Sequence, residues 1–399
     1  MSGSPGAAAR QAQAREMARL ALPIVVVQVG LMAMGVVDTI MVGRVSAEAL
    51  AATALAHLYF IGVGMFGLGV LYVLDPVVAQ AVGAGDEEGV ARGLQRGALL
   101  AAALSVITAA ALAPAGAIFG LLRQPPGVVP LAAQITHVLI PGLLPFFLFA
   151  VARQTLQATG RVAPVVVAIV FGNAANALLN WMLIYGNLGS PALGALGSAW
   201  STTIGRWLTL AVLLLAARRE LAPFLRPRRQ ALAIAPLLRM ARLGTPIGFQ
   251  YVIEVSSFGV VTLMMGWLGA VELAGHEIAL NLASLTFMVP MGLGAAASVV
   301  VGKAIGAGDM AAARAGAARA LVWGVGFMAL SAVAMVVLPE RFAALYTTDK
   351  GVARLAASLI PIAGVFRSST AARSSAGASC AAAATRGPRW SRTCWASGW

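Results

Sequence analysis

Cysteine is nearly missing from this sequence. Its 399 residues hold only Cys380 and Cys394, both close to the C-terminus. No disulfide framework and no thiolate metal site can be argued for the body of the chain. Histidine is equally scarce. His57, His137 and His276 lie far apart, and no spacing among them offers a metal site. No His pair, Ser–Lys pair or ligand cluster supports a membrane-embedded enzyme. Charge is the third shortage. Only 11% of residues are charged, against roughly 25% in a soluble domain. The chain cannot cover a surface in water, so its solvent is lipid. Aromatics are sparse and scattered, and the segments do not alternate apolar with polar residues, which argues against an outer-membrane barrel.

Long apolar runs fill the sequence instead. Residues are 60% hydrophobic and the mean hydropathy is +0.86. Runs of about 18 or more apolar residues are long enough to cross the hydrocarbon core as helices. Spans are expected near 17–42, 55–80, 95–120, 130–151, 162–186, 192–217, 242–267, 277–301, 317–338 and 352–366. The first follows Arg10, Arg15 and Arg19 as a signal peptide would. It is too long for such a segment and shows no cleavage site, so it is read as a membrane helix. The fold class is all-α integral membrane.

The net charge of +14 raises nucleic acid as a partner, but the placement of the charge argues otherwise. With the N-terminus inside, the outer loops hold Arg44, Arg123, Arg341, Lys350 and Arg354, and the other loops carry the greater part of the Lys and Arg. That bias is the positive-inside rule. It implies a multi-pass membrane protein with a cytoplasmic N-terminus. The run "RRELAPFLRPRR" (218–229) is then a cytoplasmic linker that anchors topology at lipid headgroups.

The chain is duplicated. "QAVGAGDEEGVARG" from Gln80 matches "KAIGAGDMAAARAG" from Lys303, with Asp86 and Asp309 separated by 309 − 86 = 223 positions. At the same offset Pro23 meets Pro246. Each copy is a six-helix unit, and an even helix count gives both copies one orientation, related by an axis along the membrane normal. The boundaries expected are an N-terminal lobe over 1–217, a basic linker over 218–241 and a C-terminal lobe over 242–366. The GAGD loops lack the Lys-Ser/Thr of a phosphate loop. Gly83 and Gly85 read as the end of one helix and Asp86 as the cap of the next.

The second copy stops short of six helices. From Arg367 the text becomes "RSSTAARSSAGASC…", without an acid or an apolar period. Residues 367–399 read as the parent gene in a shifted frame, about ten helices preceding the slip. Shifted by one base, the tail regains an apolar helix with an Asp at codon 370, where this chain has Thr370.

Four acids lie inside apolar runs: Asp38, Asp75, Glu254 and Glu277. A carboxylate at mid-membrane costs at least about 2.5 kcal/mol, and such groups usually face a cavity or an ion path. At the repeat offset Asp38 meets Val261 and Glu254 meets Leu31, so neither acid is an echo of the duplication. Glu254 lies about 18 Å along its span, near the midplane, with Gln250, Ser257 and Phe258 on its face. Asp38 lies in the outer third of the first span. Asn173, Asn176 and Asn180 form an amide stripe, which reads equally as helix glue or as oxygen ligands for Na⁺. Asp75 precedes Pro76, where a kink is expected, and Glu277 suits a helix start.

Together the stretches "VVDTIMVGRVSAEALAATALA", "DPVVAQAVGAGD", "ATGRVAPVVV", "GALGSAWSTTIGRW", "GFQYVIEVSSF" and "AGHEIALNLASLTFMVPMGLGAAASVVVGKAIGAGD" resemble the multidrug and toxic compound extrusion (MATE) family over residues 15–366. The resemblance implies two six-helix bundles related by a pseudo-two-fold, the second incomplete here. It also implies a monomeric antiporter that exports organic cations in exchange for Na⁺ or H⁺ and needs no cofactor. On that resemblance the first-helix acid is Asp38 and the seventh-helix acid is Glu254, either of which could hold Na⁺. The polar positions of the fifth helix are Asn176 and Asn180, and Thr202 matches a hydroxyl position of the sixth. The alternatives weighed beside this are an inactive truncated product of such a gene and a lipid-linked saccharide flippase. A flippase would line its cavity with Arg, whereas these spans are nearly free of Arg apart from Arg206.

Overall fold

The computed structural model describes residues 5–346 and 350–364. Every regular element among them is helical. They are α1 (Pro5–Gly43), α2 (Ala47–Leu71), α3 (Leu74–Gly83), α4 (Glu87–Leu112), α5 (Ala115–Leu121), α6 (Val129–Leu139), α7 (Leu143–Ala158) and α8 (Ala163–Tyr185). After these come α9 (Ala195–Ala216), α10 (Arg218–Leu225), α11 (Ile234–Leu268), α12 (Ala270–Gly306), α13 (Met310–Val337), α14 (Pro339–Tyr346) and α15 over 350–364. Eight helical stretches among the described residues are long and apolar enough to cross a membrane. The tail from Arg367, with its frame-shift reading and Thr370, lies outside the described residues.

Sequence chemistry sets the element ends. Ser46 caps α2 by accepting from the Ala49 amide at 3.0 Å. The expected kink at Asp75 is present: α2 ends at Leu71, and α3 restarts at Leu74 with Asp75 in its first turn. The GAGD loops form matching helix ends. Gly85 and Gly308 both take positive φ, 68° and 81°. The amides of Asp86 and Asp309 reach back to the carbonyls of Ala81 and Ala304, each at 2.9 Å, the bond that closes a left-handed C-terminal cap. Asp309 then caps α13, its carboxylate accepting from Ala312 at 2.8 Å. One expectation is corrected. Glu277 does not begin a helix, because α12 already starts at Ala270. The break falls instead at Gly269, whose φ of 152° with an extended ψ is a backbone open essentially to glycine alone.

Contacts group the chain into two compact units. One holds the described residues up to Val29, Asp75–Asp86 and those from Ser256 on, and the other holds Gly30–Leu74 and Glu87–Val255. The first helix of each repeat thus divides between units. Within one unit, a Cβ on Gly292 of α12 would fall 3.1 Å from the Val25 backbone of α1. Within the other, a Cβ on Gly69 of α2 would fall 2.7 Å from Gly248 of α11. These contacts are copies at the repeat offset, since 25 + 223 = 248 and 69 + 223 = 292. A second matched pair lies in the first unit, where α3 crosses α12. A Cβ on Gly83 would strike the Lys303 carbonyl, and a Cβ on Gly306 would strike the Gln80 carbonyl. Small residues at such crossings let helix backbones meet in lipid, where packing rather than the hydrophobic effect drives association.

The basic linker does not hang free. It lies on the N-terminal half of α4. Gln95 donates to the carbonyls of Phe224 and Arg226 at 2.9 and 2.6 Å and accepts from the Arg228 amide at 3.0 Å. Glu88 pairs with Arg228 at 2.8 Å.

Candidate functional site

The site forms where α1, α8 and α9 meet inside the unit of Gly30–Leu74 and Glu87–Val255. Asn173, Asn176 and Asn180 fall three and four residues apart, so α8 presents them on one face. Asn173 is the glue: its amide donates to the Gly30 carbonyl at 3.0 Å and ties α8 to α1. A Cβ on Gly30 would run into Ile169 of α8, so that glycine permits the close approach. Farther along, Tyr185 donates to the Met41 carbonyl at 2.9 Å.

Between these ties lies Asp38, only 2% exposed. Its Oδ1 accepts from Asn180 Nδ2 at 2.5 Å, and its Oδ2 accepts from Thr202 Oγ1 of α9 at 3.0 Å. Asn180 Nδ2 also donates to Asn176 Oδ1 at 3.2 Å. Asn176 and Asn180 are fully buried, and Thr202 is buried. One amide and one hydroxyl thus hold the carboxylate, with no direct ion pair among the described residues. Asn180 Oδ1 and Asn176 Nδ2 are buried with no hydrogen-bond partner among the described residues. The oxygens of Asp38, Asn176, Asn180 and Thr202 make a donor set of the type that hard cations accept. Among the described residues, no group of three or more His, Cys, Asp and Glu could hold a metal ion.

Two further groups share this neighbourhood. Arg206 lies one turn beyond Thr202 on α9. Its guanidinium carbon sits 4.4 Å from the ring centre of Phe60 on α2 and 5.1 Å from that of Phe146 on α7. His57 of α2 and Arg206 both lie within electrostatic reach of Asp38. The sequence does contain the signal for Arg206, a lone arginine in an apolar span four residues after a site hydroxyl. It does not show which helices face that arginine. The other predicted carboxylate, Glu254, is half-buried on α11 and is not part of the hydrogen-bonded cluster. Asp38, Asn176, Asn180 and Thr202 are therefore brought together, and Glu254 stands apart.

A model of the MatE family matches residues 23–182 and 246–375. The two matches begin 246 − 23 = 223 positions apart, the offset of the internal repeat. Multidrug resistance protein MdtK of Edwardsiella ictaluri is 34% identical over 361 residues, covering 89% of this chain and 79% of that protein. Multidrug resistance protein NorM of Photobacterium profundum is 32% identical over 367 residues, with 90% and 79% covered. Among solved structures, the eukaryotic MATE transporter AtDTX14 superposes with a TM-score of 0.82 at 22% identity. It covers 97% of this chain and 85% of that one, a likeness of fold.

Proposed function

The chain belongs to the MatE family, and we propose that it exports organic cations and other xenobiotics in exchange for H⁺ or Na⁺, as a monomer of a bacterial inner membrane. The N-terminus and the basic linker lie on the cytoplasmic side. No covalent bond is made or broken in such a cycle, and no cofactor is needed. The names of the relatives at 32–34% identity support drug export as the activity.

One observation carries the mechanism: Asp38 is a buried carboxylate in an apolar helix, and its hydrogen bonds come from neutral donors. A carboxylate so placed has few ways to be neutralised other than by a cation. A small coupling ion and an organic cation then compete for it. Binding of one weakens the other, and antiport is that reciprocal coupling. Asn180 and Thr202 orient the carboxylate, and Asn176 orients Asn180. Glu254 supplies a second carboxylate on α11, outside this cluster.

The test is ethidium efflux from vesicles under an imposed ion gradient. Asp38→Asn keeps the shape and removes the charge, and it should reduce coupled efflux to background with the protein level unchanged. Glu254→Gln should slow it as well. Full coupled efflux in Asp38→Asn would remove Asp38 from the mechanism.

A further inference from the structure

We infer that Arg206 is a positioning residue, a tethered cation that weakens the hold of Asp38 on any bound cation and so speeds release. The meaning for the transport cycle rests on the antiport reading above.

The geometry is unusual for a half-buried arginine. A guanidinium near a carboxylate in an apolar bundle would ordinarily close on it as a two-pronged ion pair. Here it does not. Both Asp38 oxygens already accept bonds from Asn180 and Thr202. Arg206 points instead into a slot between Phe60 and Phe146, whose ring faces attract the cation. Gly142, in the turn between α6 and α7, leaves room for it. A Cβ there would fall 3.2 Å from Arg206 Cδ and 3.3 Å from Nη1. Among the described residues, Nη1 is buried and has no hydrogen-bond partner.

Arg206 lies one turn along α9 from Thr202, whose hydroxyl bonds Asp38, and the two aromatic rings hold its charge there with no ion pair to the carboxylate among the described residues. Contact would seal the site against other cations. Distance without screening does something else. Every cation that reaches Asp38 also approaches a like charge that cannot leave, and repulsion is stronger in a partly buried site than in bulk water. Among the described residues His57 on α2 also interacts electrostatically with Asp38; when protonated it adds to the same repulsion. Beside Arg206, the side chains that α8 and α9 bring to the cluster among the described residues are the neutral ones of Asn176, Asn180 and Thr202.

Ethidium binding to the purified full chain, read by fluorescence anisotropy, tests this. Arg206→Gln should tighten ethidium by about tenfold, the size expected of one like charge at short range. In vesicles the same variant should show a lower KM together with a lower maximal efflux rate. Arg206→Lys keeps the charge but loses the planar stacking on the two rings, so it should tighten ethidium less than Arg206→Gln does, and an equal tightening would overturn a role for the charge. In an Asp38→Asn background the tightening should vanish, as a pairwise coupling requires. An unchanged Kd in Arg206→Gln overturns the inference, and so does a tightening that persists without Asp38. If Arg206→Gln does not fold, Phe146→Leu reads the same arrangement from the opposite side. The loosened guanidinium should close on Asp38 and raise the ethidium Kd, and an unchanged Kd overturns the inference. If the Kd shifts appear but the wild type shows no ion-driven efflux, the antiport reading fails and the Arg206–Asp38 coupling stands. Absence of ethidium binding to the wild type overturns both.

Discussion

At the scale of the residue, the site turns on how many donors a buried carboxylate finds. Asp38 has two, Asn180 and Thr202. Removing either leaves a buried acceptor less satisfied, at a cost of about 1–3 kcal/mol. Thr202→Val is the gentler probe because the two side chains are nearly the same shape. It should lower ion-driven efflux several-fold while leaving the melting temperature of the purified protein within a few degrees. Asn180→Leu should do worse on both counts, since Asn180 also holds Asn176 in place. Equal efflux in Thr202→Val and the wild type would show that the hydroxyl has no part in holding the carboxylate. Asp38 is visible in the sequence as an acid in an apolar run. Asn176, Asn180 and Thr202 come to it through family resemblance. That Asn173 glues α1 to α8 while its two neighbours turn to Asp38 depends on the contact of three helices, which no single-helix pattern contains.

At the scale of the element, the glycines of the duplicated motif have two separate tasks. Gly85 and Gly308 end helices with positive φ, as the sequence leads one to expect. Gly83 and Gly306 do something further, because each leaves space for a carbonyl of the opposite helix. A methyl at either position must push α3 and α12 apart. Gly83→Ala and Gly306→Ala should each destabilise the protein by about 1–3 kcal/mol, the usual range for overpacking. Gly62 of α2 supplies the control, since nothing lies within 4 Å of a Cβ built there. Gly62→Ala should be neutral or slightly stabilising, as alanine favours helix. Thermal unfolding of the three variants checks this, and equal midpoints would mean that the crossing relaxes without cost.

At the scale of the whole molecule, the duplication leads to two units that exchange the beginnings of their first helices. The linker between the repeats is clasped by Gln95 and Glu88 of α4, so it packs as part of a bundle. Its side of the membrane can be measured directly, because the body of the chain has no cysteine. With Cys380 and Cys394 changed to Ser, a cysteine at Arg123 should react with an impermeant maleimide on intact cells. A cysteine at Arg226 should react only after permeabilisation. The reverse pattern would invert the topology inferred from the charge bias.

Composition and order along the chain suffice for the solvent, the helical class, the repeat and the family. These depend on hydropathy, period and offset, which are properties of one strand of text. Tertiary structure alone decided that Asp38 is bonded by α8 and α9, that Glu254 lies outside that cluster, and that Arg206 is held between two rings near the carboxylate. It also decided that matched glycines let helices of the two repeats cross. The physical reason is common to all of these. Each depends on which faces of separate helices meet, and in lipid that choice is made by close packing and buried polar partners, not by the period of any one helix.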